Sequence, residues 1–483
     1  MKIIRSSAGK NGLLTKRPSF GRRIGMLDVS VKDFEALSDG RFVNVPEPVR
    51  KIRRIKGVSI DSRAIEPQQV FWALKGERFD GHDFVGDVVL HGALFAVVAR
   101  ERFESGRFDE LPLFVVEDTL AALQELARHH RRKYNIPVIA LTGSNGKTTT
   151  KEMIAHILGR KTVVHKTHGN RNNQIGCPLA VLDLNEMHRM AVFELGTNQF
   201  GEIDILTRMV EPDHVLITLI GDTHLEYLQN REGVAREKLS LFRQAPPGVT
   251  LYKNMDDPFI AAFEREDARV VSYGFDRTDV DVHGAMGDMD AMGCGTLILN
   301  GRVNIPLRAP GLHNVRNALA AAAVALNLGW KEAEIAAALE SYESFEKRMQ
   351  VVHWRDCLIL NDSYNANPAS MYSAMNTLMR MAGGKRFMAL GDMNELGEHS
   401  DAMHREVLQK ALDHGADVLF ILGDKMIRAV NQLGLQKNTR VHVCQNHFEL
   451  ASMAAQMMSA GDILLLKASR GVQMEKVLAG LPV

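Results

Sequence analysis

Apolar residues in this chain follow two spacings: short unbroken runs, and i, i+3, i+4 patterns between them. The clearest pairing starts at residue 138, where Val-Ile-Ala-Leu makes a run of the buried parallel-strand type. A small-residue loop follows at 142–146, and Met153, Ile154, Ile157 and Leu158 then mark the buried face of a helix. Runs at 162–166, 190–195 and 213–220 repeat the strand signal with helical patterns between them. This alternation predicts a parallel sheet with right-handed crossovers, whose ligands sit beyond the carboxyl ends of its strands.

Upstream, 58–63 and 69–74 read as strands joined by a turn at Glu66-Pro67, and 93–99 as another buried strand. Residues 120–134 read as a helix ending in a solvated basic run at 128–133, and Asn135-Ile-Pro137 as a linker. Downstream, 249–310 turns β-rich, with a strand at 270–274 and a hairpin at 296–305 whose Asn300-Gly301 predicts a type I′ turn. An alanine-rich helix follows at 318–327. From about 345 a further α/β pattern begins, with strands at 357–361, 386–390, 417–422, 441–443 and 463–466 and helices at 371–381 and 401–414. It has the rhythm of a dinucleotide-binding fold without the Gly-x-Gly-x-x-Gly fingerprint, so it is expected to close over a nucleotide held by the middle region. The expected class is α/β with three domains. These are a small N-terminal α/β domain (26–135), a central phosphate-loop parallel-sheet domain (136–345) and a C-terminal Rossmann-like domain (346–483), after a basic extension at 1–25.

Composition narrows the function. Lys and Arg number 59 against 58 Asp and Glu, so no basic field argues for nucleic acid, and 6% aromatics leave few stacking platforms. The four cysteines are scattered without metal spacing and read as buried thiols of a reducing cytoplasm. No apolar run approaches membrane-spanning length. Residues 1–25 are basic with no long apolar core, which excludes a secretory signal and leaves a disordered arm or sequence upstream of a start at Met26.

The loop at 143–148, Gly-Ser-Asn-Gly-Lys-Thr, sits between strand and helix, the setting that holds a nucleotide triphosphate. Backbone N–H groups and the helix N-terminus face phosphate, the Lys147 amine reaches the terminal phosphates, and the Thr148 hydroxyl suits Mg²⁺. The general motif has another glycine five residues before Gly146, and Leu141 stands there instead. Glu194 and His224 fall at neighbouring strand ends, where a carboxylate and an imidazole could hold divalent metal around a triphosphate. Other candidates are ambiguous as bare patterns. Ser62, Arg63 and Arg78 suit a phosphorylated ligand, yet arginines near turns are ordinarily solvated surface. Asn314 and Asn317 share a helix face and could read an adenine edge, although helix capping explains them as well.

Several motifs then fall into a known order: Asp61-Ser-Arg63 with Asp80-Gly-His82, the loop at 142–148, Gly169-Asn-Arg-Asn-Asn-Gln-Ile-Gly176, Glu194-Leu-Gly196 and His224-Leu-Glu226. Lys238, His313-Asn-Val-Arg-Asn317, Arg348, Asn361-Asp-Ser-Tyr-Asn-Ala-Asn-Pro368, Gly391-Asp-Met-Asn-Glu-Leu-Gly397 and Lys467-Ala-Ser-Arg470 complete it. From about Met26 onward the chain resembles the Mur ligases, ATP-dependent amide-forming enzymes of bacterial cell-wall synthesis. The branch it resembles adds D-alanyl-D-alanine to UDP-N-acetylmuramoyl-tripeptide, and the Asp-Asn-Pro-Arg motif of the diamino-acid-adding branch is absent. The resemblance implies a monomeric cytoplasmic enzyme that makes an acyl phosphate with ATP and two Mg²⁺ ions. It implies nucleotide contacts from Gly143, Ser144, Asn145, Gly146, Lys147, Thr148 and Thr149, with Asn314 and Asn317 on adenine and Arg348 and Asp362 on phosphate and ribose. Thr148 and Glu194 would hold one Mg²⁺, and His224 with a carbamylated Lys238 the other. Asn172 and Asn173 would line the reacting centre, Ser62, Arg63 and Arg78 the UDP end, and Tyr364, Asn365 and Asn367 the substrate. Competing readings are a diamino-acid-adding ligase, a folylpolyglutamate synthetase and, outside enzymes, a nucleotide-switched binding protein.

Overall fold

The computed structural model describes residues 27–104, 106, 108 and 110–482; the extension expected at 1–25 lies outside them. Two compact units divide between Thr119 and Leu120. In the first unit, five strands run in the order Arg41–Val43, Leu113–Val116, Ala96–Ala99, Gln69–Trp72 and Gly57–Ser59, all parallel except the first. Phe34 packs edge-on against Phe95 and Phe114, and the buried Trp72 donates its Nε1–H to Thr119 O at 2.6 Å. The strand expected at 58–63 stops at Ser59. The Asp61 side chain accepts from Arg63 N at 3.1 Å and opens the 3-10 turn Ser62–Ala64, a local bond that competes with a strand ladder.

The second unit contains two sheets. In the nine-stranded one, seven parallel strands run Val164–Lys166, Met190–Glu194, Val138–Thr142, His214–Ile217, Thr250–Asn254, Arg269–Phe275 and Val282–Met289. The antiparallel hairpin Cys294–Leu299 and Val303–Pro310 closes its edge. Asn300 and Gly301 have φ of 50° and 67°, and Arg302 N bonds Leu299 O at 3.1 Å, as the type I′ expectation requires. Val138–Thr142 is buried at every residue and has later strands on both sides. It is therefore the switch point, where a crevice forms beyond the carboxyl end. Leu141 lies inside this strand, so the loop begins after the position where the general motif has its first glycine.

The six-stranded sheet runs Gln350–Trp354, Cys357–Asn361, Ile463–Lys467, Arg386–Gly391, Val418–Leu422 and Val441–Val443, parallel except for the first strand. Successive residues feed opposite cores: Met388 and Leu390 one, Phe387 and Ala389 the other. Both faces are thus covered, which is why these strands read as continuous apolar runs. Sequence reading named neither Gln350–Trp354, an edge strand with no fully buried residue, nor Val282–Met289, which carries two glycines. The helix expected at 318–327 begins earlier, as Leu312–Asn327.

His165, on the edge strand Val164–Lys166, is buried with its ring centroid 5.0 Å from that of His188 and 5.4 Å from that of Phe193. Its Nε2 has no hydrogen-bond partner among the described residues. Burial, aided by neighbouring His188 and His168, pushes its pKa down from 6.5 to about 3. The folded chain keeps this ring neutral while the unfolded chain protonates it, so acid favours unfolding. As pH falls from about 6.5, this group should remove stability at up to about 1.4 kcal/mol per pH unit. Thermal unfolding between pH 7 and 5 should accordingly be less pH-dependent for His165→Leu than for the parent chain; equal slopes would rule the group out as a source of acid sensitivity.

Candidate active site

At the carboxyl end of Val138–Thr142 the chain turns through the loop and enters the helix Lys147–Leu158. Gly146 is its N-cap at φ 80°, with no side-chain cap, so the first helical N–H groups stay free for an anion. A Cβ on Gly146 would fall 2.3 Å from Asn317 Oδ1, so the absence of a side chain lets the helix Leu312–Asn327 approach the loop. Ser144 anchors the loop, accepting from Gly221 N at 2.8 Å and donating to Gly221 O at 2.9 Å. Gly143 O accepts from Lys147 Nζ at 2.7 Å.

Above the loop lies a cavity of about 1120 Å³. Ser144, Asn145, Gly146, Lys147 and Thr149 form its floor, with Glu194, His224, Asn172 and Asn173 on one side. Asn314 and Asn317 line it from the helix Leu312–Asn327, and Arg348, Asp362, Tyr364, Asn365 and Asn367 from the segments around the six-stranded sheet. Residues far apart in sequence therefore converge on one cavity. Ser62, Arg63 and Arg78 belong to the first unit, where Arg63 is paired with Asp61 through two hydrogen bonds of 2.9 Å.

Individual contacts refine several assignments. Asn314 and Asn317 do not cap the helix; Gly311 is the N-cap, and both amides are buried within the first turns. Asn314 Nδ2 donates to Pro310 O at 2.7 Å, and Asn317 Nδ2 to Asn314 Oδ1 at 3.3 Å. Asn173 turns its side chain back onto its own loop, its Oδ1 accepting from Gly176 N at 2.7 Å just before the helix Gly176–Leu182, whose N-cap is Ile175. Asn172 Nδ2 donates to Glu194 Oε1 at 2.9 Å. Two contacts join the loop to the segments beyond residue 345. Arg348 Nη2 donates to Thr148 Oγ1 at 2.8 Å while the guanidinium lies over the Tyr364 ring at 4.0 Å. Asn367 Nδ2 donates to Asn145 Oδ1 at 2.9 Å, and Asn145 Nδ2 to Asn367 Oδ1 at 3.4 Å. Asp362 Oδ2 accepts from the buried Lys467 amine at 2.5 Å.

The electrostatics are unusual for so small a volume. Lys238, at the end of the helix Arg231–Lys238, is wholly buried, and its Nζ has no partner among the described residues. Burial, then the nearby Lys147 charge, holds this amine well below the usual lysine range. Burial likewise lowers the Lys147 amine, partly offset by Glu194. Glu194 Oε2 is buried with no hydrogen-bond partner, and the nearest amine, Lys151 Nζ, stands 3.7 Å away. His224 is pushed down by burial although Glu395 Oε2 lies 2.5 Å from its Nδ1, and that contact holds Glu395 below the usual carboxylate range. Among the described residues no group of three or more His, Cys, Asp or Glu is set to hold a metal. A buried carboxylate oxygen with no hydrogen-bond donor, at the cavity wall, nevertheless fits Mg²⁺, which takes one or two protein oxygens and completes its shell with phosphate and water. Glu395 and Lys467 were not singled out from the sequence; each stands in a motif quoted above, but its place at the cavity depends on long-range packing.

Comparison with known proteins gives a consistent likeness. The family model for the Mur ligase middle domain matches residues 141–325, that for the Mur ligase glutamate ligase domain 347–470, and that for the Mur ligase family catalytic domain 54–131. The UDP-N-acetylmuramoyl-tripeptide–D-alanyl-D-alanine ligase of Bacillus subtilis is 35% identical over 465 residues, covering 94% of this chain and 99% of its own length. The structure of MurF from Acinetobacter baumannii superposes with a TM-score of 0.83 at 32% identity, over 94% of this chain and 99% of that one. MurF ligase from Thermotoga maritima in complex with ADP gives a TM-score of 0.76 at 27% identity, over 88% and 96%.

The approach at Gly146 makes a measurable prediction. Gly146→Ala should cost about 1–3 kcal/mol through its left-handed backbone, with the Asn317 clash added. Thermal unfolding of Gly146→Ala with Asn317→Ala should fall between Gly146→Ala and the parent chain; a double variant no more stable than the single would discount the clash.

Proposed function

This chain belongs to the Mur ligase family, and we propose that it joins D-alanyl-D-alanine to the terminal carboxylate of UDP-N-acetylmuramoyl-tripeptide while converting ATP to ADP and phosphate. The observation that carries the reading is the wholly buried, unpartnered Lys238 amine, close enough to feel the charge of Lys147, next to a cavity whose lining suits triphosphate, metal and peptide.

A free carboxylate resists an amine because its leaving group would be oxide. Transfer of the γ-phosphoryl group to the tripeptide carboxylate supplies a leaving group that can depart. The dipeptide amine then attacks the acyl carbon, and the tetrahedral adduct expels phosphate to leave the amide. The protein must assemble three anionic reactants and offset their repulsion. The free N–H groups after Gly146 and the Lys147 amine take the phosphates. Arg348, already at the Thr148 hydroxyl, adds cationic charge from the far side. Asn314 and Asn317 face adenine, Asp362 the ribose, and Tyr364, Asn365 and Asn367 the peptide end. Ser62, Arg63 and Arg78 are assigned to the UDP end.

Thr148 with Glu194, and His224 with Lys238, are the groups that would hold two Mg²⁺ ions, whose charge neutralises phosphate oxygens when they are bound. Burial pushes this amine toward its neutral form, the form that adds carbon dioxide with loss of a proton, and the resulting carbamate is an anion able to face metal. We assign that modification to Lys238.

ADP release should require UDP-tripeptide, D-alanyl-D-alanine and Mg²⁺ together, and release unaffected by omitting an acceptor or donor would refute the ligase reading. Meso-diaminopimelate and glutamate as acceptors test the two related specificities. Lys147→Ala should lower kcat by at least about 100-fold, the scale for removing a preorganised electrostatic donor. Lys238→Ala should lose activity and recover part of it with acetate. The carbamate assignment fails if acetate has no effect and no carbamate carbon appears by NMR with ¹³C-labelled bicarbonate.

A further inference from the structure

Glu395 faces His224 from a loop that the reaction scheme leaves without a task. The loop follows the strand Arg386–Gly391 of the six-stranded sheet, whereas His224 follows the strand His214–Ile217 of the nine-stranded one. Glu395 Oε2 lies 2.5 Å from His224 Nδ1, within hydrogen-bond reach though not linearly aligned. Among the described residues no well-aligned hydrogen bond reaches that nitrogen, which is shielded from solvent, so the close approach of Glu395 is its one polar contact, and both residues line the cavity.

The backbones on each side are shaped for this meeting. His224 and Glu395 both have left-handed φ, 55° and 63°, a conformation that costs a non-glycine residue about 1 kcal/mol or more. Glu226 N donates to Glu395 O at 3.4 Å. Gly397, at φ 54°, lies against the same turn, and a Cβ there would stand 3.1 Å from Glu226 Cα. Main-chain docking therefore delivers the carboxylate, and the side-chain contact does not stand alone.

An imidazole that donates from one nitrogen keeps its lone pair on the other, and a carboxylate at the first nitrogen fixes both tautomer and ring orientation. We propose that Glu395 is a positioning residue that holds His224 with the proton on Nδ1 and the lone pair on Nε2. Because Glu395 arrives from the far sheet, that tautomer is set only while the 391–397 loop is docked against the turn after His224. What Nε2 then binds rests on the reading of His224 as a metal ligand; the tautomer does not.

The test is long-range ¹H–¹⁵N correlation NMR on the full chain labelled with ¹⁵N-histidine, with His224→Gln identifying the resonance. The parent chain should show the Nδ1-protonated pattern, and Glu395→Ala should move it toward the Nε2-protonated form preferred by free imidazole. Glu395→Gln, whose amide oxygen still accepts, should keep the parent pattern. Gly397→Val leaves both partners in place but pushes the loop from Glu226, and should release the tautomer as Glu395→Ala does. An unchanged tautomer in Glu395→Ala, or in Gly397→Val should the former not fold, overturns the proposal. Mn²⁺ affinity in the presence of ADP, measured by calorimetry, separates the two readings. A loss of about 10-fold or more in Glu395→Ala, the scale for removing the outer partner of a ligand, supports both. A shifted tautomer with unchanged Mn²⁺ affinity upholds the positioning role and removes His224 from the metal.

Discussion

Amines buried without full neutralisation are the constraint around which the second unit is built. Lys151 and Lys238 are wholly buried, Lys238 feels the charge of the half-buried Lys147 at the cavity floor, and Arg348 is added from the far sheet. Within the protein the compensation comes from Glu152, which contacts Lys151 at 3.1 Å and also pairs with Lys166, and from Glu194 and Glu395. Each buried cation loses hydration, and only partners or a pKa shift can offset that loss. Lys151 is held by the Thr167 carbonyl at 2.7 Å, whereas Lys238 has no such partner and yields its proton readily. A cavity that receives polyanions needs this imbalance.

The parallel sheet makes the arrangement possible. Strand Val138–Thr142 sits at the switch point, so the loop opens into a crevice with neighbours on both sides, and Glu194 ends the adjacent strand. The six-stranded region supplies what the crevice lacks: a guanidinium, a carboxylate held by Lys467 and an amide that meets Asn145. Neither sheet carries the whole set of groups.

Much of this was legible in the sequence because it is local. The strand–loop–helix order and the Asn300-Gly301 turn depend on neighbours a few residues away, and the structure has them. Other features depend on distant contacts. Asn314 and Asn317 resemble helix caps as a bare pattern, yet the helix begins at Leu312 and the asparagines sit within it, one of them against Gly146. Asp61 resembles a strand residue until its side chain bonds Arg63 N. The missing loop glycine was a puzzle in the sequence and is resolved by burial, since Leu141 belongs to the strand. Glu395 stood inside a quoted motif without being singled out, because its approach to His224 comes from a second sheet.

The paired amides of Asn145 and Asn367 carry a further consequence. They exchange hydrogen bonds in both directions and bear no formal charge, and the neighbouring Arg348 bond ends on a neutral hydroxyl. Counter-ions screen charge–charge attraction over a Debye length of about 8 Å at physiological ionic strength, but do little to contacts of this kind. The docking of the six-stranded region on the loop is therefore largely indifferent to salt, and ionic strength acts on the arrival of charged reactants more than on the grip that receives them.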